Sequence, residues 1–308
     1  MTAPSLLTTA ARARRLQLST ARKVDGMLMG EHLGVLAGPG GELAEVRPYV
    51  PGDDVRRFDW SALARTGTPH VRTTTAQREL DTTFVVDLSA SMAFGTRNQD
   101  KRTLALTLVA AFAHLASGPG DRLSAVLLTG DGLRQTPPRP SVTAAPQLMS
   151  SLERTVVVAG PAPSLAQALH AVRARRRGLV VVVSDLLGGT TTVAGPDWQR
   201  PLRLLATRHD VIVVEVVDPR ELELPSVGLL RVVDPETGRH LDVPSGSKLL
   251  RDRYAAAARA RRQAHADAIH AAGASHLFVR TDGDWLRDLS RFLTLRRRLR
   301  GTRRAGGL

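Results

Sequence analysis

The stretch Thr82-Thr83-Phe84-Val85-Val86-Asp87-Leu88-Ser89-Ala90-Ser91 decides the fold. Its apolar run reads as a strand, and a carboxylate and two hydroxyls follow at alternate positions where a strand ends and a loop begins. That spacing lets the three oxygens converge on one point. Hard donors of this kind suit Mg²⁺ or Mn²⁺ better than softer metals. The same residues can also be read as a turn in which Ser89 and Ser91 cap the next helix. A second stretch, Val180-Val181-Val182-Val183-Ser184-Asp185, repeats the pattern of a β-branched run closed by a hydroxyl and an acid. Such runs mark strands buried on both faces of a parallel sheet. Ligands of doubly wound sheets bind outside the carboxyl ends of strands, where the strand order reverses. Asp87 and Asp185 are therefore expected to share one oxygen-lined site.

Outward from these two strands the chain alternates. Strand 82–87 leads to a helix over 99–117, whose Leu104, Leu108, Ala111, Phe112 and Leu115 recur at helical spacing. A strand over 121–128 follows, with Gly130-Asp131-Gly132 turning it into a short hairpin partner. A helix is expected near 144–154. Ser164-Leu-Ala-Gln167 then reads as a capping box opening a helix over 165–176. Strand 179–184, helix 198–208, strand 210–217 and a hairpin over 227–243 come next. Helix 247–272, strand 275–280 and helix 283–298 close the series. Strands alternating with helices of this length indicate an α/β fold: a doubly wound, mostly parallel central sheet with helices on both faces. Four regions are expected: a basic helix over 1–30, a small loop and β extension over 31–80 packed on the main domain, the α/β domain over 81–298, and a basic tail over 299–308.

The 308 residues include no cysteine, which excludes disulfides, thiolate zinc sites and cysteine nucleophiles. Apolar runs such as Val211–Val217 are far short of a membrane span, and no apolar core follows the N-terminal arginines 12, 14 and 15. A cytoplasmic protein is expected. The formal charge of +14 is almost all arginine, with lysine only at 23, 101 and 248. Such a balance suits nucleic acid or an anionic surface, and the 296–304 tail is the best candidate for that role. Elsewhere the arginines are scattered over helix ends and faces, and aromatic content of 4% leaves little to stack on bases.

Two blocks carry a family resemblance. Asp87-x-Ser89-x-Ser91 with Met92 resembles the first metal-ion-dependent adhesion site motif of von Willebrand factor A domains. Arg47-Pro-Tyr49-Val-Pro51-Gly52-Asp53-Asp54-Val-Arg56-Arg-Phe-Asp59-Trp60-Ser-Ala-Leu-Ala-Arg65-Thr66 resembles the signature of the bacterial domain of unknown function 58, and Asp234-Pro-Glu236-Thr-Gly238 also fits. The resemblance spans residues 30 to 295. It implies a von Willebrand factor A-like fold without enzymatic activity, acting as an adaptor or co-chaperone of a MoxR-type AAA+ ATPase. It also implies Mg²⁺ held by Asp87, Ser89, Ser91 and Asp185. The fold's second motif usually supplies a threonine; here Pro163 stands in its place, with Ser164 as a substitute donor.

In the signature block Pro51-Gly52 is a strong turn signal, and Asp53, Asp54, Arg56, Asp59 and Arg65 alternate in sign. Arginine–carboxylate pairs there would brace the loop. The other reading of this block, Arg47, Tyr49 and Trp60 included, is a surface that docks a partner. Trp60 is expected in the core or the brace. Enzyme readings find no support: no His-Glu-x-x-His run, no phosphate loop ending in Gly-Lys-Ser/Thr, and no Gly-x-Ser-x-Gly around Ser89.

Overall fold

Long β-branched runs dictate the centre of the molecule, because every residue of such a run must be shielded on both faces of a sheet. In the computed structural model, which describes residues 9–30, 45–50, 58–73, 79–97, 99–158, 160, 162–188, 191–192 and 195–305, these runs form a six-stranded sheet. The elements in chain order are α1 (Thr9–Gly30), β1 (Glu45–Pro48), α2 (Trp60–Thr66), β2 (His70–Thr73), β3 (Asp81–Leu88), α3 (Lys101–Leu115), β4 (Arg122–Thr129), β5 (Gly132–Pro140), α4 (Ser141–Arg154), α5 (Leu165–His170) and β6 (Leu179–Ser184). They continue as β7 (Thr191–Thr192), β8 (Gly195–Pro196), α6 (Gln199–Arg208), β9 (Asp210–Val217), β10 (Leu229–Val233), β11 (His240–Pro244), α7 (Lys248–Ala271), β12 (Ser275–Arg280) and α8 (Trp285–Ala305).

The sheet order is β12-β9-β6-β3-β4-β5. All neighbours are parallel except β4 and β5, which form an antiparallel hairpin. From the central β3 the chain steps to β4 on one side, then returns to β6 on the other. The order therefore reverses between β3 and β6, which is the switch point where such sheets open a crevice. Every residue of β6 is buried, as is all of β3 after its first. Alternate side chains face opposite layers. Val85, Val126, Val180, Val182, Val211 and Val213 meet Leu165, Leu169, Trp198, Leu202 and Ile269 from α5, the α6 region and α7. The opposite face is covered by α3, α4 and α8. The expected doubly wound α/β sheet is thus the fold observed.

Several boundaries differ from the sequence reading. The helix expected over 165–176 ends at His170; beyond it Arg173, Arg175, Arg176 and Arg177 offer no apolar face to bury. The helix expected from 144 begins at Ser141, directly after a nine-residue β5. The last helix continues to Ala305 rather than yielding to a tail at 299. The N-terminal helix is not a separate region: α1 packs on α3, α4 and α8 and buries Ala13, Thr20 and Val24.

The chain divides into two units, Leu36–Glu79 and the remainder. In the smaller unit β1 pairs antiparallel with β2. Asp59 caps α2, its Oδ1 accepting from the backbone N–H of Ser61 and Ala62 at 3.1 and 3.0 Å. Gly67 ends that helix at a φ of 70°, a left-handed conformation that glycine adopts without strain. Tyr49, Phe58 and Trp60 stack edge to face in series. Trp60 is 68% exposed, so it is not a core residue, although it stacks on Phe58; Arg65 lies exposed in the last turn of α2. Gly52, Asp53, Asp54, Arg56 and the side chain of Arg47 lie outside the described residues, as does their expected ion pairing.

Candidate functional site

The register of the two buried strands brings the expected acids together. Val86 of β3 lies level with Val183 of β6, so Asp87 and Ser184 are neighbours at the carboxyl edge and Asp185 follows. Asp87 accepts three hydrogen bonds there. Its Oδ1 takes the Ser89 N–H at 3.0 Å and the Ser89 hydroxyl at 2.6 Å, and its Oδ2 takes the Ser184 hydroxyl at 2.7 Å. The Ser89 and Ser91 hydroxyls lie 3.1 Å apart. Ser89 stands at the N-cap of a short 3₁₀ turn over Ala90–Ala93, but its hydroxyl makes no capping bond; α3 is capped by Asp100, whose Oδ1 accepts from Thr103 N–H at 2.6 Å. Ser89 is thus at a turn, as the second reading had it, while its hydroxyl bonds to the carboxylate cluster and not to the cap.

Asp185 is held differently. Its Oδ1 accepts from Leu187 N–H at 3.0 Å. Its Oδ2 takes the Lys101 ammonium at 2.6 Å, and the same ammonium donates to Glu221 Oε1 at 2.5 Å. Lys101 is fully buried. The chain turns out of this site through Leu186 at a φ of 58°, the one left-handed non-glycine among the described residues. A branched-chain residue held there stores strain at a functional edge. Glu221 is placed in turn by Asp218 N–H at 2.9 Å. Asp218 accepts from the backbone and side chain of Thr96 and from the Thr281 hydroxyl, lacing the loop after β3 to the ends of β9 and β12.

The electrostatics follow from burial. Asp87 is pushed from 3.8 up to about 6, first by desolvation and then by the charge of Asp185, against the pull of its serine hydrogen bonds. Burial alone would drive the Lys101 proton off, but Asp185 and Glu221 outweigh it and raise its pKa. Burial also raises Glu221 in spite of Lys101. Asp87, Asp185 and Glu221 set three carboxylates against one ammonium, and that ammonium does not contact Asp87.

The donor chemistry fits a hard divalent cation. A buried carboxylate, two adjoining hydroxyls and a further serine converge on the switch point with negative charge in excess. Among the described residues no group of three or more His, Asp or Glu side chains is arranged to hold a metal, so a cation here would depend on hydroxyls. The resemblance's second donor does not join the cluster: Ser164 Oγ accepts from Gln167 N–H at 3.3 Å, and Gln167 reaches back to Ser164 N–H at 2.8 Å, closing the expected capping box.

Lys101 and Glu221 were not singled out by the sequence reading, which named Ser184 only as the hydroxyl closing its strand. One signal was available: Lys101 is one of only three lysines in a basic complement otherwise made of arginine.

Fold and site together define an α/β domain with a cluster of buried carboxylates and hydroxyls at the carboxyl edge of a doubly wound sheet. The model of the family described as "Protein of unknown function DUF58" matches residues 45–264, and the chain belongs to that family. Similar relatives are Uncharacterized protein Mb1516 of Mycobacterium bovis and Uncharacterized protein Rv1480 of Mycobacterium tuberculosis. Each is 45% identical over 298 residues, covering 94% of this chain and 90% of the relative. Solved structures that are similar at a low level include ones described as von Willebrand factor A domains. The SpRpn10 VWA domain has 11% identity over 69% of this chain and 94% of its own, with a TM-score of 0.37. The conserved hypothetical protein BatB from Bacteroides thetaiotaomicron has 11% identity over 71% of this chain and 99% of its own, at a TM-score of 0.40. These structural likenesses are distant, and the family assignment rests on the sequence matches.

Proposed function

We propose that this protein is a non-enzymatic interaction module whose docking point is the crevice between β3 and β6. Asp87, Ser89 and Ser91 would hold Mg²⁺ or Mn²⁺, with Asp185 beside them and Ser184 as an added oxygen. The cation would offer a Lewis-acidic position to a carboxylate of a partner. The observation that supports this most is the Asp87 carboxylate: buried, hydrogen-bonded only by neutral donors, and raised by a second acid. Such a group favours a positive charge beside it, and among the described residues no cationic side chain bonds to it.

The family resemblance makes a MoxR-type AAA+ ATPase the proposed partner, with this chain as adaptor or co-chaperone. No described helix is long and apolar enough to cross a membrane. The reading as an arginine-driven nucleic-acid or anionic-surface binder gains no observation. Arg102 donates to the Leu152 and Thr155 carbonyls, Arg251 to those of Ser245 and Gly246, and Arg262 stacks on Phe278. Arg296 is 7% exposed and pairs with Asp210. These arginines brace the fold.

The test is binding of the purified chain to a purified MoxR-type ATPase from the same genome at constant Mg²⁺, wild type against Asp87→Ala. The reading expects binding by the wild type and its loss in the variant, with weak dependence on salt. Equal binding by both proteins would refute it. Binding that collapses between low and moderate salt would favour the arginine surface.

A further inference from the structure

The hairpin of β10 and β11 is a two-stranded sheet of its own, in unbroken register from Leu229↔Pro244 to Val233↔His240. A lone hairpin is marginally stable in water, and this one leaves apolar side chains uncovered. Leu229 is 70% exposed and Leu241 65%, and Val232 and Val233 are exposed with them. On the two strands only Leu230 and Val243 are half-buried.

The two outer edges of the hairpin differ. Asp234 N–H donates to the Arg239 carbonyl at 2.9 Å, so these residues form a hydrogen-bonded pair. Alternation along an antiparallel ladder makes Val232↔Leu241 and Leu230↔Val243 the next such pairs. The pairs between them exchange no bonds, in keeping with Pro244 opposite Leu229, since proline has no N–H to give. The backbone groups of Leu229, Arg231 and Val233 therefore face outward along β10, and those of His240, Asp242 and Pro244 face outward along β11. Pro244 interrupts the donors of the β11 edge. β10 holds no proline, glycine or bulge and has no second strand beside it. An edge of that kind is a template for another strand.

The sequence of β10 says which strand fits. Leu229-Leu230-Arg231-Val232-Val233 reads apolar, apolar, arginine, apolar, apolar in both directions. A two-fold axis through Arg231 lays a second β10 antiparallel to the first, with Leu229 opposite Val233 and Leu230 opposite Val232. Apolar then meets apolar at every position off the axis, and the outward backbone groups of the two strands pair with each other. On the axis arginine faces arginine, and each arrives with its own counter-charge. Arg231 Nε and Nη2 donate to Asp242 Oδ1 and Oδ2 at 2.8 and 3.2 Å, a bidentate pair that removes the like-charge penalty.

We propose that the free edge of β10 pairs with β10 of a second copy of this chain, joining two hairpins into one four-stranded antiparallel sheet. The contact uses neither a cation nor the Asp87–Asp185 cluster, so it goes beyond the docking reading above and stands or falls apart from it. Two five-residue strands make a small contact, in the weak class below about 1,200 Å². The charge of +14 on each copy opposes association at low salt. The dimer therefore depends on concentration and tightens as salt screens that repulsion.

The experiment is sedimentation equilibrium in EDTA, from low micromolar to millimolar protein, on the wild type, Val233→Pro, His240→Pro and Asp242→Asn. Val233→Pro removes an outward N–H from β10 and His240→Pro removes one from β11; neither N–H serves the hairpin's own ladder. Asp242→Asn keeps the backbone and leaves Arg231 without its counter-charge. The expected result is a wild-type dimer at the upper concentrations, unchanged in His240→Pro. Val233→Pro should weaken it about tenfold or more, since each half loses a backbone bond. Asp242→Asn should weaken it at low salt and recover as salt is raised. A wild type that stays monomeric, or a Val233→Pro variant that dimerises as well as the wild type, would overturn the proposal. Equal loss in His240→Pro would remove the β10 edge from the contact and overturn it too, and unchanged association of Asp242→Asn at low salt would refute the register through Arg231.

Discussion

Replacing Lys101 by Met is the most informative single perturbation of this edge. The side chain keeps its length and loses its charge. The ammonium is fully buried and bridges Asp185, whose side chain is 1% exposed, and Glu221, at 15%. Its removal leaves two shielded carboxylates without their cation. Breaking a buried pair by removing one partner costs about 3–5 kcal/mol, because the orphaned charge keeps its desolvation penalty. For a chain of this size that corresponds to a melting temperature about 6 °C lower. The folded pKa of Lys101 lies above its unfolded 10.5, so the contribution is complete below that value and fades only as pH rises through the folded pKa. The loss should therefore be full at pH 7. The assay is urea denaturation of the wild type, Lys101→Met, Asp185→Asn and the double variant. The cycle should return a coupling of about 2 kcal/mol or more between the two sites. A Lys101→Met loss below about 1 kcal/mol, the range of exposed pairs, would refute the reasoning.

Four further outcomes follow from the structure. Pro163→Thr supplies the hydroxyl missing from the second donor position and should raise Mg²⁺ affinity several-fold by calorimetry; no gain would sever residue 163 from the site. Asp87, with its folded pKa near 6 and its unfolded value at 3.8, stabilises the cation-free protein fully below 3.8 and loses that contribution as pH rises through 6; Asp87→Asn should abolish this part of the slope. Because the cation needs the ionised form, Mg²⁺ affinity should also fall about tenfold between pH 7.5 and pH 5. Asp59→Ala removes the cap of α2 and should cost about 1 kcal/mol locally, read as faster amide exchange at Ser61 and Ala62.

The buried strands were legible because β3 and β6 are written in the sequence itself, as β-branched runs closed by acids with no long-range partner needed to recognise them. Their adjacency was legible too, since a doubly wound order places such ends at its switch point. The short α5 was not, because a capping box announces where a helix starts, whereas the arginines of 173–177 only withdraw the apolar face and no glycine or proline marks the stop at His170. The part played by Lys101 was hidden by distance along the chain. Its partners lie 84 and 120 residues downstream, and only the parallel sheet and the turn after β9 bring them together. Ser164 illustrates the converse: its local role as a helix cap was readable, and that role occupies the hydroxyl that the family pattern would assign elsewhere.

The most direct test of the central claim is the melting temperature of the wild type and Asp87→Ala with increasing MgCl₂. A ligand that binds only the folded state stabilises it by mass action. With a modest Kd of about 1 mM, about 10 mM Mg²⁺ adds about 1.4 kcal/mol, or about 2 °C for a chain of this size. The account predicts that rise in the wild type and none in Asp87→Ala. Identical melting curves for the two proteins with and without Mg²⁺ would contradict it.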